Sequence, residues 1–131
     1  MLPLRILLVE DELALRLVAK VALEKVGGYT VNTCASGKEA LQVVREFKPD
    51  LFVLDVMMPH LDGPATLMQL REMPEFLETP AIFLTAKVQS REILELLAHG
   101  AIGVLQKPFD PMQLSQNVSE LVRQHAKKRQ R

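Results

Sequence analysis

Four apolar runs in this chain lead into residues that could do chemistry. Ile6 to Val9 ends in Glu10-Asp11-Glu12, Leu51 to Leu54 in Asp55, Ala81 to Leu84 in Thr85, and Ile102 to Leu105 leads through Gln106 to Lys107-Pro108. If the fold gathers these ends, the carboxylates of Glu10, Asp11 and Asp55 approach one another, and like charges resist joint ionisation unless a cation intervenes. Carboxylate oxygens with positions left for water suit Mg2+, which prefers near-octahedral oxygen ligands and shares phosphate oxygens with a substrate. Asp11 and Asp55 are therefore the expected direct ligands, and Glu10 a direct or water-mediated one. Taken singly, most of these residues also have plain readings. Glu10 and Asp11 suit an acidic cap on a following helix, Thr85 a β-branched strand end and Lys107 a solvated loop lysine. Asp55 resists such a reading, because a carboxylate directly after a central apolar strand is costly to bury without a partner. Cys34, His60, His99 and His125 show no metal-ligand spacing and read as structural or exposed.

The elements that must position these groups follow from the hydrophobic pattern. The four runs are almost continuously apolar, as parallel strands covered on both faces require, whereas Tyr29 to Thr33 alternates and suits an edge strand. Helical periods lie between them. Leu15, Val18, Ala19, Ala22, Leu23 and Val26 form one core-facing stripe that ends at Gly27-Gly28. A second helix opens at Ser36 with Glu39 as a capping box and runs to Phe47. A third follows Asp62-Gly63-Pro64 and ends near Met73-Pro74, a fourth covers Ser90 to His99, and a fifth runs from Asp110-Pro111 towards Gln124. The expected fold class is α/β: a single flavodoxin-like doubly wound domain, a five-stranded parallel sheet in order 2-1-3-4-5 with five helices. Its switch point falls between strands one and three, and ligands bind there, beyond the carboxyl ends of the strands.

Composition agrees with one such domain. The chain has 131 residues, 48% of them hydrophobic and 24% charged, enough to bury a core without metals or disulfides. One domain is expected over residues 1–131, with its core at about 4–123 and a basic tail at 124–131. Sixteen basic residues balance sixteen acidic ones, so a broad nucleic-acid partner is excluded for want of a basic field. Lys127, Lys128, Arg129 and Arg131 read as a solvated helix end. A lone cysteine, Cys34, forms no internal disulfide, and a cytoplasmic compartment is expected. Met1 to Val9 is too short an apolar run for a signal peptide, and no segment approaches the roughly 20 apolar residues of a membrane span.

Taken together, Val9-Glu10-Asp11-Glu12, Leu54-Asp55-Val56-Met57-Met58-Pro59-His60-Leu61-Asp62-Gly63, Leu84-Thr85-Ala86-Lys87, Gly100-Ala101 and Gln106-Lys107-Pro108-Phe109 resemble the receiver domain of two-component response regulators. The resemblance covers about Leu4 to Arg123. It implies that Asp55 accepts a phosphoryl group from a phosphohistidine on a histidine kinase or phosphotransfer protein. It also implies Mg2+ on Asp11, Asp55 and the backbone carbonyl of Met57, and a cis bond between Lys107 and Pro108. The residues suit these roles. A carboxylate is an adequate nucleophile for phosphoryl transfer, and the ammonium of Lys107, with the hydroxyl of Thr85 and the amide of Ala86, would neutralise phosphoryl oxygens.

Two positions depart from the family pattern. Receivers usually carry Tyr, Phe or His three residues before the strand-five lysine, where this chain has Val104, so a muted or rerouted response on the fourth-helix face is expected. Met57 and Lys87, each two residues beyond Asp55 and Thr85 respectively, offer no carboxylate or amide to orient attacking water, so a long phosphoryl lifetime is expected. The first helix bears a second apolar line, Ala14, Leu17 and Val21, set apart from its core stripe and placed to dock a helical phosphodonor. Output through contact with a downstream protein is the expected signal. Two alternatives stay open: a metal-dependent aspartyl phosphohydrolase, which would need an acid where Met57 stands, and a receiver-like interaction domain that is never phosphorylated.

Overall fold

The computed structural model describes residues 4–87 and 89–129. In chain order the elements are β1 (Arg5–Val9), α1 (Leu13–Val21), β2 (Thr30–Cys34), α2 (Gly37–Phe47), β3 (Leu51–Asp55), α3 (Gly63–Arg71), β4 (Ala81–Thr85), α4 (Ser90–Ala98), β5 (Gly103–Gln106) and α5 (Pro111–Arg129). All strand pairings are parallel, in the order β2-β1-β3-β4-β5, the flavodoxin-like arrangement expected.

Burial on both faces explains the continuous apolar runs. Leu7, Val9, Phe52, Leu54 and Phe83 point to one side, where Ala40 and Val44 of α2, Leu67 and Leu70 of α3 and Leu96 of α4 cover them. Ile6, Leu8, Val53, Ile82 and Leu84 point to the other, against Ala19 of α1 and Leu114 and Val118 of α5. Successive residues of a strand alternate between faces, so a strand clad on both sides has no polar phase. The alternating run around Thr30 to Thr33 does form an edge strand.

Helix starts follow their caps. Ser36 accepts from the Glu39 amide at 3.1 Å, while Glu39 returns its carboxylate to the Ala35 amide, one residue earlier than a capping box reaches. Asp62 accepts from the Ala65 amide at 2.8 Å.

Three expectations need correction. Of the stripe assigned to the first helix, Ala19, Ala22 and Leu23 are buried, but Val18 and Val26 are 41% and 49% exposed. Val18 lies on the flank of the stripe, and from Ala22 to Val26 the chain is π-helical, whose wider turn puts Val26 out of phase with an α-helical count. α3 ends at Arg71, and a 3-10 turn at Pro74–Phe76 follows; it buries Phe76 edge-on against Phe52, with ring centroids 6.0 Å apart. α5 continues past the expected end near Gln124 to Arg129, so Lys127, Lys128 and Arg129 form its last turn, the helix end expected of them. Cations there complement the carbonyl end of the helix dipole. Arg131 lies outside the described residues.

Candidate functional site

Strand register assembles the site. Val9 pairs with Leu54, so Glu10 and Asp55 emerge side by side at the carboxyl edge of β1 and β3. Both are only 1% exposed, and Thr85 at the end of β4 is also buried. Glu10, Asp11 and Asp55 each place a carboxylate oxygen within 4.8 Å of the others, the cluster expected at the switch point. Past β5, the Lys107–Pro108 bond is cis, and Lys107 Nζ donates to Glu10 Oε1 and to Asp55 Oδ1 at 3.0 Å each.

The carboxylate oxygens are not equivalent. Glu10 has a donor on each: Lys107 on Oε1 and the Glu12 amide, at 3.1 Å, on Oε2. Among the described residues, Asp55 is engaged only at Oδ1, and its Oδ2 is buried with no hydrogen-bond partner. A buried unpartnered oxygen is costly, and at this edge it is the acceptor left over for a ligand. Burial, partly offset by the Lys107 hydrogen bond and reinforced by the charge of Glu10, pushes the Asp55 carboxyl up to about 7. Burial alone would lower the Lys107 ammonium, but its hydrogen bonds to Glu10 and Asp55 and their charges more than reverse this and leave it above its ordinary value. Three carboxylates face one ammonium here, so full ionisation leaves a surplus of two negative charges. A divalent cation on oxygen ligands matches that surplus.

The β3–α3 loop closes tightly over the end of β3. The Gly63 amide donates to the Val56 carbonyl at 2.9 Å, and a Cβ at Gly63 would fall 2.4 Å from the Asp55 carbonyl oxygen. Thr85 is not hydrogen-bonded into the acidic cluster. Its Oγ1 accepts from the Lys87 amide at 3.1 Å, and it lines a cavity of about 220 Å3 with Met57, Lys87, Glu92 and His99. Met57 is 64% exposed, at the rim of that cavity. Val104 packs half-buried against the α2–α4 side of the core. The Cys34 thiol is buried, and burial and the Glu39 charge, opposed by Arg16, push it up to about 12, far from a reactive thiolate.

One contributor was missed in the sequence. Arg16, in the first turn of α1, donates to the carbonyl oxygens of Glu10 at 2.8 Å and Asp11 at 3.4 Å. A basic residue one turn beyond an acidic turn is the only signal it leaves, and helix faces carry many such residues.

Comparison with known proteins places this arrangement. The family described as response regulator receiver domain matches residues 6–119. The alkaline phosphatase synthesis transcriptional regulatory protein PhoP of Bacillus subtilis is 39% identical over 119 residues, 91% of this chain and 48% of that protein. The sensor kinase CckA of Brucella abortus is 39% identical over 119 residues, 89% of this chain and 12% of that one. The solved structure of the chemotaxis response regulator CheY4 of Vibrio cholerae superposes with a TM-score of 0.85 at 30% identity, covering 92% of this chain and 99% of that one. The chain spans about half the length of the curated relatives DctR, Rre1, ycf27 and PhoP that it matches.

Proposed function

This chain belongs to the response regulator receiver domain family of two-component signalling, and on that premise we propose that Asp55 accepts a phosphoryl group from a phosphohistidine on a histidine kinase or phosphotransfer protein. The observation that supports this most directly is the buried, unpartnered Oδ2 of Asp55 beside two more carboxylates and an ammonium. In the transfer, Oδ2 forms a bond to phosphorus as the donor N–P bond breaks, and the electron pair leaves with the imidazole nitrogen, which takes up a proton. Asp11, Asp55 and the Met57 carbonyl would hold Mg2+, with Glu10 acting through water because both its oxygens already have donors; when bound, the ion supplies the charge that lets these carboxylates ionise together. Lys107 has three N–H donors and uses two on Glu10 and Asp55, so the third is left for a phosphoryl oxygen. The Thr85 hydroxyl accepts from Lys87 and keeps its own proton to donate to the phosphoryl group, together with the Ala86 amide. The chemistry is self-phosphorylation and self-dephosphorylation rather than turnover of an external substrate, in the cytoplasm, with output through a partner protein. Incubation with acetyl phosphate, followed by intact mass, should show one phosphoryl group per chain with Mg2+ and none with a chelator. Absence of label, or continuous turnover of a small phosphate ester, rejects the reading.

Leu17 and Val21, from the expected docking line, are 53% and 56% exposed. They line an apolar groove of about 350 Å3 between α1 and α5, with Val18, Val26 and Met112; Ala14 is exposed one turn earlier. This face sits beside the acidic site and suits a helix of the phosphodonor. Leu17→Asp should cut transfer from a histidine phosphodonor protein at least tenfold, about 1.4 kcal/mol, while acetyl phosphate labels it at the native rate. Equal transfer by both chains would remove the docking role.

Two further expectations concern the phosphorylated state. Exposed Met57 and Lys87 flank the path of hydrolytic water. The isolated phosphoprotein should therefore hold its label at the long end of the receiver range, and Met57→Asn should release it several-fold faster; rapid loss from the native chain counts against this. Val104 has no ring to bury or expose. Adding beryllofluoride should consequently perturb amide NMR signals around Asp55 and Thr85 far more than across α4 and β5, and large concerted shifts there would contradict it.

A further inference from the structure

Of the three clustered carboxylates, two are held by their own contacts. Glu10 and Asp55 are buried and tied to Lys107. Asp11 is exposed, so packing does not aim it, and Glu12, at the N-cap of α1, makes no side-chain cap hydrogen bond. The peptide after Asp11 is held on its amide side, where Glu12 N–H donates to Glu10 Oε2 at 3.1 Å, and Arg16 holds the carbonyl oxygens on both sides of Asp11. One guanidinium nitrogen of Arg16 donates to the Glu10 carbonyl at 2.8 Å and to the Asp11 carbonyl at 3.4 Å. Those carbonyls belong to the planar peptide groups on either side of the Asp11 Cα. Fixing both planes fixes both backbone dihedrals of Asp11, and with them the direction of its Cα–Cβ bond. The guanidinium does this through carbonyl oxygens, so it leaves the carboxylates free.

On the phosphoacceptor reading above, we propose that Arg16 is a positioning residue for the divalent cation, holding the backbone at Asp11 so that its carboxylate stands in the cluster before the ion arrives. A ligand ordered during folding adds nothing to the ordering cost of binding, and ordering one residue's backbone corresponds to roughly tenfold in affinity. Positioning and simple charge act in opposite directions here. Arg16 is a cation near a cation site, so by charge alone its removal tightens binding of the ion. At about 0.15 M salt that repulsion is weakened by screening, and the sign of the change in affinity decides between the two effects.

Calorimetric titration of Mg2+ into the full chain at that salt concentration tests this. Arg16→Ala should bind Mg2+ about tenfold more weakly, while melting in chelator stays near native. Arg16→Lys keeps the charge and reaches one carbonyl at a time, and should lose about threefold. Arg45→Ala, whose partner is the exposed Glu75, should bind as the native chain does. Unchanged or tighter binding by Arg16→Ala overturns the inference, and if that variant does not fold, native affinity in Arg16→Lys overturns it. A native chain that binds no Mg2+ instead defeats the phosphoacceptor reading itself, so the two failures are separable.

Discussion

Asp55→Asn should take up no phosphoryl group from any donor, and its stability in chelator should no longer decline between about pH 4 and pH 7. An amide has no nucleophilic oxygen anion to attack phosphorus, yet it matches the carboxylate in shape, so loss of label in a folded chain assigns the acceptor. The pH effect comes from the same atom. Burial raises the native Asp55 carboxyl from 3.8 to about 7, so across that interval the folded chain holds a proton that the unfolded chain has released. Stability then falls as pH rises through the interval and levels off above it. About three units at 1.36 kcal/mol each cap the change at roughly 4 kcal/mol. Denaturant titrations at stepped pH, native against variant, measure it. Mg2+ favours the ionised carboxylate and should restore stability to the native chain most strongly above pH 7. Persistent labelling of the variant, or equal pH slopes in the two chains, would contradict the assignment.

Lys107→Ala is expected to cause the largest loss of stability of any change at the site. The lysine side chain is 15% exposed and is bonded to two carboxylates that are nearly fully buried. Removing one partner of such a pair leaves uncompensated buried charge, a cost of about 3–5 kcal/mol. In chelator at neutral pH, the variant should unfold at markedly lower denaturant concentration and regain part of the difference when Mg2+ is added. Phosphoryl uptake from acetyl phosphate should slow by about 10²–10³-fold, the usual effect of deleting one donor aimed at developing charge. Stability within 1 kcal/mol of native, or labelling within a few-fold, would show that the ammonium neither neutralises the carboxylates nor assists transfer.

Much of this protein was legible in its residues. Strands buried on both faces leave continuous apolar runs, so Ile6 to Val9 and Leu51 to Leu54 announced a parallel sheet, and the groups following each run marked one edge. Ser36 and Asp62 announced their helices because a cap is a local hydrogen bond between near neighbours in the chain. The π-helical segment after α1 left no such mark. Its hydrophobic count fits an ordinary α-helix, and only packing against β2 and α5 reveals that Val18 and Val26 face solvent.

Residue types and their order determined by themselves the strands, the helices and the identity of the acidic and basic groups that follow the strands, because burial and capping act over a few residues, while the strand order came from the usual winding of five alternating strands. Tertiary structure alone decided which oxygen is free, that the Thr85 hydroxyl accepts from the Lys87 amide and not from the acidic cluster's lysine, and that Arg16 braces the turn at Asp11. Those facts depend on angles between groups far apart in the chain, such as Lys107 and Glu10, and distance along a sequence carries no information about angle.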